Sequence, residues 1–147
     1  MEELTLKWSD VPTEWPLCFN DDCPLHQHCL RRQAAAVAPQ DLEVARCVTP
    51  SALRDGECRH YVSMDPVRYA RGFERIYDSV LKKHYTMLRE RMTSMLSGKR
   101  IYYEYMRGER RLEPIQQECI RELFGKYGYA DSVKFDAYEY GYLFKRT

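Results

Sequence analysis

The sequence predicts an α+β protein dominated by helices, in which an irregular metal-stapled N-terminal module precedes a long helix, a shorter helix and a small antiparallel sheet. Three observations predict it. Apolar residues recur at three- and four-residue spacing from Tyr69 to Leu96, the mark of a helix with one buried stripe. Residues 100–106 and 132–144 are rich in β-branched and aromatic side chains, the composition of strands. Five of the six cysteines fall between residues 18 and 58, in a stretch with too little periodic apolar sequence to order itself.

Residues 1–17 hold Trp8, Pro12, Trp15 and Pro16 among acids, without sustained periodicity. They read as an extended arm whose tryptophans pack back on the protein. Asn-Asp-Asp and Cys-Pro between Cys18 and Cys29 favour turns. Leu30–Ala38, Leu-Arg-Arg-Gln-Ala-Ala-Ala-Val-Ala, is made of strong helix formers stopped by Pro39 and predicts a short helix starting at or near Cys29. Residues 39–59 read as a loop anchored by Cys47 or Cys58.

Asp65-Pro66 resembles a helix start, and the stripe then predicts one helix to Ser97 with Gly98 as its stop. Gly72 and Asp78-Ser79 mark places where it bends or splits. Residues 100–106 are expected to form a strand, followed by a turn at Arg107-Gly108-Glu109. Pro114 opens the shorter helix, closed by Gly128. The tail, in which Val133, Phe135 and Ala137 alternate with Lys134 and Asp136, reads as one strand or a hairpin about Gly141. The expected organisation is an arm over residues 1–14, a cysteine-rich metal-binding module over 15–62 and a helical α+β domain over 63–147.

At 147 residues the chain has room for one ordinary domain, or for a small module on a larger one. With 31% charged residues, a mean hydropathy of −0.64 and no apolar run near the roughly 20 residues of a membrane span, no membrane association is expected. The N-terminus has no secretory signature, so a cytoplasmic setting is expected. The net charge of +1 conceals a gradient: residues 1–30 carry one Lys against six acids, whereas residues 61–111 carry twelve Lys and Arg against six acids.

In a reducing compartment, clustered thiols are metal ligands or free thiols more often than disulfides. The run Cys18-x4-Cys23-x5-Cys29, with Cys58 in a polar turn after Gly56, supplies the four thiolates of a structural Zn2+ site. Cys47 is the weaker choice, because its apolar neighbours in Val-Ala-Arg-Cys-Val suit a small buried side chain. His60 and His28 are further alternates. These spacings differ from the repeated C-x2-C of zinc ribbons, and four thiolates would also hold a [4Fe–4S] cluster. Zinc is preferred, since it needs no assembly partner. Cys119, on the apolar face of the second helix, reads as a core side chain.

No G-x-S-x-G, HExxH, P-loop or dinucleotide fingerprint occurs, so the sequence leans away from an enzyme. A hydrolytic metal would need an open position and an acid such as Asp21 or Asp22. A basic stretch offers a different chemistry. Lys82, Lys83, Arg89, Arg91, Lys99, Arg100, Arg107, Arg110 and Arg111 follow one another with Tyr102, Tyr103 and Tyr105 interleaved. Such cations neutralise phosphates and such rings stack on bases, although Lys and Arg at these spacings also suit the wet face of any amphipathic helix.

With Cys18-Phe-Asn, Cys23-Pro, Cys29-Leu-Arg, the Cys58 turn, Tyr102-Tyr103 through Arg110, and Pro114-Ile-Gln-Gln leading to Phe124, the chain resembles a domain-of-unknown-function family of small cysteine-containing Bacteroidales proteins over most of residues 15–145. The resemblance implies a bacterial, cytoplasmic setting and no particular activity or cofactor. Glu113 departs from it, standing where a Ser or Thr cap is expected. Together these features describe a non-catalytic binding or regulatory protein with a structural metal, contacting nucleic acid or an acidic protein partner. The alternative is an iron–sulfur accessory or redox protein.

Overall fold

In the computed structural model, which describes residues 3–146, four helices and several short strands make an α+β arrangement. The chain divides into two compact units, Met1–Pro66 with Tyr142–Thr147 and Val67–Gly141.

In the first unit, Leu17–Cys18 (β1) pairs in parallel with Cys47–Val48 (β2). Between them the helix-forming run gives Leu30–Ala36 (α1), directly after Cys29. Leu53–Arg54 (β3) and Glu57–Cys58 (β4) form a hairpin within the expected loop. Its turn, Asp55-Gly56, has φ of 52° and 79°. Two consecutive positive φ values are what a tight hairpin of this hand requires, and Asp-Gly supplies them at little steric cost.

Leu6, Trp15, Leu17, Leu30, Ala34, Val62 and Tyr142 are buried together. The Trp15 indole N–H donates to the Lys145 carbonyl at 2.8 Å, and its ring meets Phe144 edge-on at 5.0 Å. Both tryptophans pack in or against this cluster.

The second unit corrects two sequence expectations. The predicted helix from Asp65 to Ser97 is a strand, Val67–Arg71 (β5), then a run of turns, then the helix Lys82–Met95 (α2). Strand geometry wins at residues 67–71 because both edges find partners: Arg111–Leu112 (β6) on one side and Ala137–Gly141 (β7) on the other, both antiparallel. Each partner supplies backbone hydrogen bonds that a helix would have made internally. Gly72, at φ +77°, ends β5, and a Cβ there would lie 2.5 Å from Asp136 Oδ2. The Asp136 N–H donates to the Gly72 carbonyl at 2.9 Å, and its carboxylate accepts from the Glu74 N–H at 3.1 Å. The apolar stripe is buried as expected at Tyr69, Phe73, Ile76, Leu88, Met92 and Leu96.

The second correction is Lys99–Met106 (α3), a helix where composition predicts a strand. With β5 already flanked on both edges, this segment has no open place beside it. Ser97 and Gly98, at φ 69° and 102°, separate α2 from α3, and the Tyr102 N–H donates to the Gly98 carbonyl at 2.8 Å.

Pro114–Gly125 (α4) starts where Pro114 predicts and ends short of Gly128. Glu113 replaces a Ser or Thr cap: its carboxylate accepts from the backbone of the third helical residue, while Gln116 returns a bond to the Glu113 N–H at 2.8 Å. Buried Gln117 donates to the carbonyls of Arg68 and Leu112 at 2.9 and 3.0 Å, tying α4 to β5 and β6. The tail is the single strand β7 rather than a hairpin. No helix among the described residues is long and apolar enough to cross a membrane.

Tyr77 and Tyr102 face each other within this core, hydroxyl to hydroxyl at 2.9 Å. Burial pushes the Tyr77 hydroxyl far above its ordinary value, and its bond to Tyr102 adds to the rise. Burial also raises Tyr102. A raised folded-state pKa means that the unfolded chain releases the proton first as pH climbs. The contribution of the pair is therefore full below about pH 10, the ordinary tyrosine value, and is lost above it. Urea midpoints measured from pH 8 to 11 are expected to fall above pH 10, with a shallower fall in Tyr77→Phe.

Candidate metal centre

Cys18, Cys23, Cys29 and Cys58, the four ligands expected from the sequence, line one cavity of about 20 Å3 in the first unit. That volume admits one water-sized body. Four local features bring the thiols there. Cys18 ends β1, and Cys23 begins consecutive turns in which the His26 and His28 N–H groups donate to the Cys23 and Leu25 carbonyls at 3.1 Å each. Cys29 caps α1 in extended conformation and bridges to Ser63. Cys58 is returned by the Asp55-Gly56 hairpin.

All six cysteines are free thiols. Burial pushes the Cys18 thiol up; a hydrogen bond from the Asn20 backbone works against this, and Cys29, Cys23 and Cys58 each add to the rise. The Cys18 thiol thus feels the other three sulfurs of the cavity. Among the described residues no three Cys, His, Asp or Glu side chains are already arranged to grip an ion, so the thiols surround the cavity as unligated side chains.

The alternates separate. His60 lines the cavity and His28 does not; His28 is exposed. Cys47 is also exposed, a correction to the buried side chain that its neighbours predict. It sits in the short β1–β2 pair, where few side chains cover it, and lines an adjacent cleft instead. Cys119 is only half-buried on α4.

Three further residues of the cavity wall are not among the expected ligands. His26 lines it, with its Nδ1–H donating to the Cys23 carbonyl at 2.7 Å, which leaves Nε2 as the nitrogen carrying a lone pair. Arg31, 1% exposed, donates from Nε to the His60 carbonyl at 2.7 Å and from Nη1 to the Pro16 carbonyl at 2.8 Å. Its guanidinium lies 4.5 Å from the Trp15 ring centre. Burial works against its charge, while Cys29, Cys58 and Cys18 support it.

Arg32 also lines the cavity and pairs with Asp21 through Nη2. Its Nε is buried without a hydrogen-bond partner, the one such side-chain nitrogen or oxygen among the described residues. The signal for both arginines was the Leu-Arg-Arg that opens α1: a helix starting at Cys29 carries its next residues along the cavity wall.

Four of the nine cations expected on the basic surface, Arg89, Arg107, Arg110 and Arg111, meet partners within the fold. Tyr102 is 1% exposed, which corrects its reading as a stacking platform. The Tyr103 hydroxyl accepts from Arg89, Arg110 pairs with Glu104, and Arg107 pairs with Glu109 at 2.7 Å. Arg111 lies 3.8 Å above the Tyr69 ring and faces Glu139 at 3.8 Å. Lys82, Lys83, Arg91, Lys99 and Arg100 are exposed and form no ion pair among the described residues.

The model of DUF6078, a family of unknown function, matches residues 1–144. The chain belongs to DUF6078. That span holds every cysteine of this DUF6078 member and both of its structural units apart from the last three residues. No curated protein matches it, and no solved structure does.

Proposed function

We propose that this protein is a non-catalytic, cytoplasmic binding or regulatory protein, folded around a structural Zn2+ held by Cys18, Cys23, Cys29 and Cys58, which contacts nucleic acid or an acidic protein partner. The observation that carries this reading is the convergence of four cysteines, three from the run 18–29 and one from the hairpin at Cys58, on one ion-sized cavity. Four thiolates around one Zn2+ leave a net charge of −2, which a buried site must offset. Arg31 and Arg32 supply that offset. The orphaned Arg32 Nε is the donor that a metal-bound thiolate would accept from, and such second-shell bonds orient sulfur ligands.

The cavity volume also weighs between the two cofactors. A [4Fe–4S] cluster carries eight core atoms, whereas the space of about 20 Å3 between the cysteines is of the size of a single ion. Elemental analysis of anaerobically purified protein tests the reading. About one zinc per chain and a colourless solution are expected. Iron, sulfide and visible absorption would establish the cluster instead, and a metal-free folded protein would end both.

A further inference from the structure

Beside the cysteine cavity, the first unit has two clefts that share Arg59 and His60. One, of about 440 Å3, is lined by Arg31, Arg59, His60, Tyr61, Lys145 and Arg146 with Val62 beneath. The other, of about 400 Å3, carries Arg54, Thr49 and Ser51. Among the described residues, no carboxylate lines either cleft. Arg54, Arg59, Lys145 and Arg146 form no ion pair among the described residues, in contrast to Arg107 and Arg110 on the other unit.

We propose that these joined clefts bind the sugar–phosphate backbone of single-stranded nucleic acid. The inference deepens the partner-binding part of the function proposed above and moves the contact surface from α2 and α3 to the metal-stapled unit. Unpaired cations in a concave, carboxylate-free track are a site for anions. Two clefts meeting at one arginine suit a ligand with regularly repeated phosphates better than a single small anion. The Thr49 and Ser51 hydroxyls, bonded to each other at 2.7 Å, leave one proton of the pair free as a neutral donor of the kind that bonds phosphate oxygens.

Tyr61 favours nucleic acid over an acidic peptide. Its side chain is 38% exposed at the cleft, and its hydroxyl donates to the His28 carbonyl at 3.2 Å, so the ring is held as a face on which a base can stack. The track is also built on fixed parts. Arg31 is anchored by two carbonyls, and the Lys145 carbonyl is held by Trp15. Arg31, His60 and Tyr61 line the cysteine cavity as well, so the metal centre underlies the floor of the cleft.

Fluorescence anisotropy with labelled oligo-dT and oligo-U, titrated against the metal-loaded protein at several salt concentrations, tests this. Affinity is expected to fall steeply with salt, with a log–log slope of about −0.7 per phosphate neutralised on a single strand. Arg59→Glu combined with Lys145→Glu is expected to weaken binding at least tenfold and flatten the slope by about 1.4, and Arg59→Lys with Lys145→Arg to restore it. Both residues are exposed and lack carboxylate partners, so circular dichroism should be unchanged. Tyr61→Leu should weaken binding several-fold without altering the slope.

Charge reversal of Lys82, Lys83, Lys99 and Arg100 is expected to leave affinity within about twofold, beyond the shared long-range field. If that variant abolishes binding while the Arg59 and Lys145 pair does not, the cleft is overturned and nucleic-acid binding stands. If the folded, zinc-loaded protein binds neither oligonucleotide at low salt, this inference and the nucleic-acid half of the proposed function fall together. The zinc assignment is then unaffected.

Discussion

Replacing Cys18 or Cys58 by Ser is expected to cost the protein its zinc and to unfold the first unit. Apparent zinc-binding free energies of structural sites reach about 10–16 kcal/mol, comparable with the whole stability of a domain. The first unit has little to set against such a loss. Its buried cluster is seven residues, and the long stretches from Phe19 to Cys29 and from Ala36 to Arg59 place one residue, Cys29, in the buried class.

Limited trypsin digestion reads the effect directly. Cleavage at Arg31, Arg32, Arg46, Arg54 and Arg59 is expected to accelerate by orders of magnitude in Cys58→Ser or after chelation, while helical ellipticity from α2, α3 and α4 largely persists. Cys47→Ser and Cys119→Ser, outside the cavity, should keep both zinc and resistance. Equal resistance with and without metal would refute a structural ion.

Tyr102→Ala is expected to destabilise the second unit by about 3–5 kcal/mol, the range for truncating a large buried aromatic. The ring meets Phe73 edge-on at 5.4 Å and lies among Ile76, Leu88, Met92, Leu112 and Phe124. Tyr102→Phe keeps that packing and removes only the bond to Tyr77, so about 1 kcal/mol is expected. Urea denaturation at pH 7, below the range where the tyrosines titrate, measures both. The pair also separates two roles for this residue. As a core side chain it leaves oligonucleotide affinity unchanged in Tyr102→Phe and, at temperatures where the variant stays folded, in Tyr102→Ala. A base platform would lose affinity in the Ala variant in proportion to stacking.

The history of these two sites shows what a linear chain discloses. Burial was legible at Phe73, Ile76, Leu88 and Met92, whereas Leu81, Tyr85 and Met95 at the same apolar spacing are exposed and Tyr102, read as a stacking surface, is buried. Conformation was legible only where a local signal is strong, as at Pro114 with the Glu113–Gln116 box or at the alanines of α1. Between Val67 and Arg71 the same apolar spacing satisfies a helix stripe and a strand with turns after it. The choice was made by pairing with residues some forty and seventy positions further on, a non-local term that no window contains. Residues 99–106 are helical, and neither side of β5 is open to them.

The cysteine cavity followed the opposite logic. Three of its cysteines are neighbours in sequence, and the fourth comes back through an Asp-Gly turn that is itself a local signal. The guanidinium groups of Arg31 and Arg32 were illegible for a different reason. An arginine in a helix is ordinarily a surface residue, and only the fold reveals what stands behind it.

The first unit is assembled from both ends of the sequence, residues 1–66 and 142–147, with the second unit encoded between them. During translation, Leu6, Trp15 and Leu17 therefore leave the ribosome long before Tyr142 and Phe144 arrive to cover them. At about 5–20 residues per second, the intervening segment takes roughly 4–15 s to synthesise. For that interval the nascent front half has its thiols available but lacks its apolar lid, so early capture of the ion would be the means of holding it in register until the last residues close over the tryptophan.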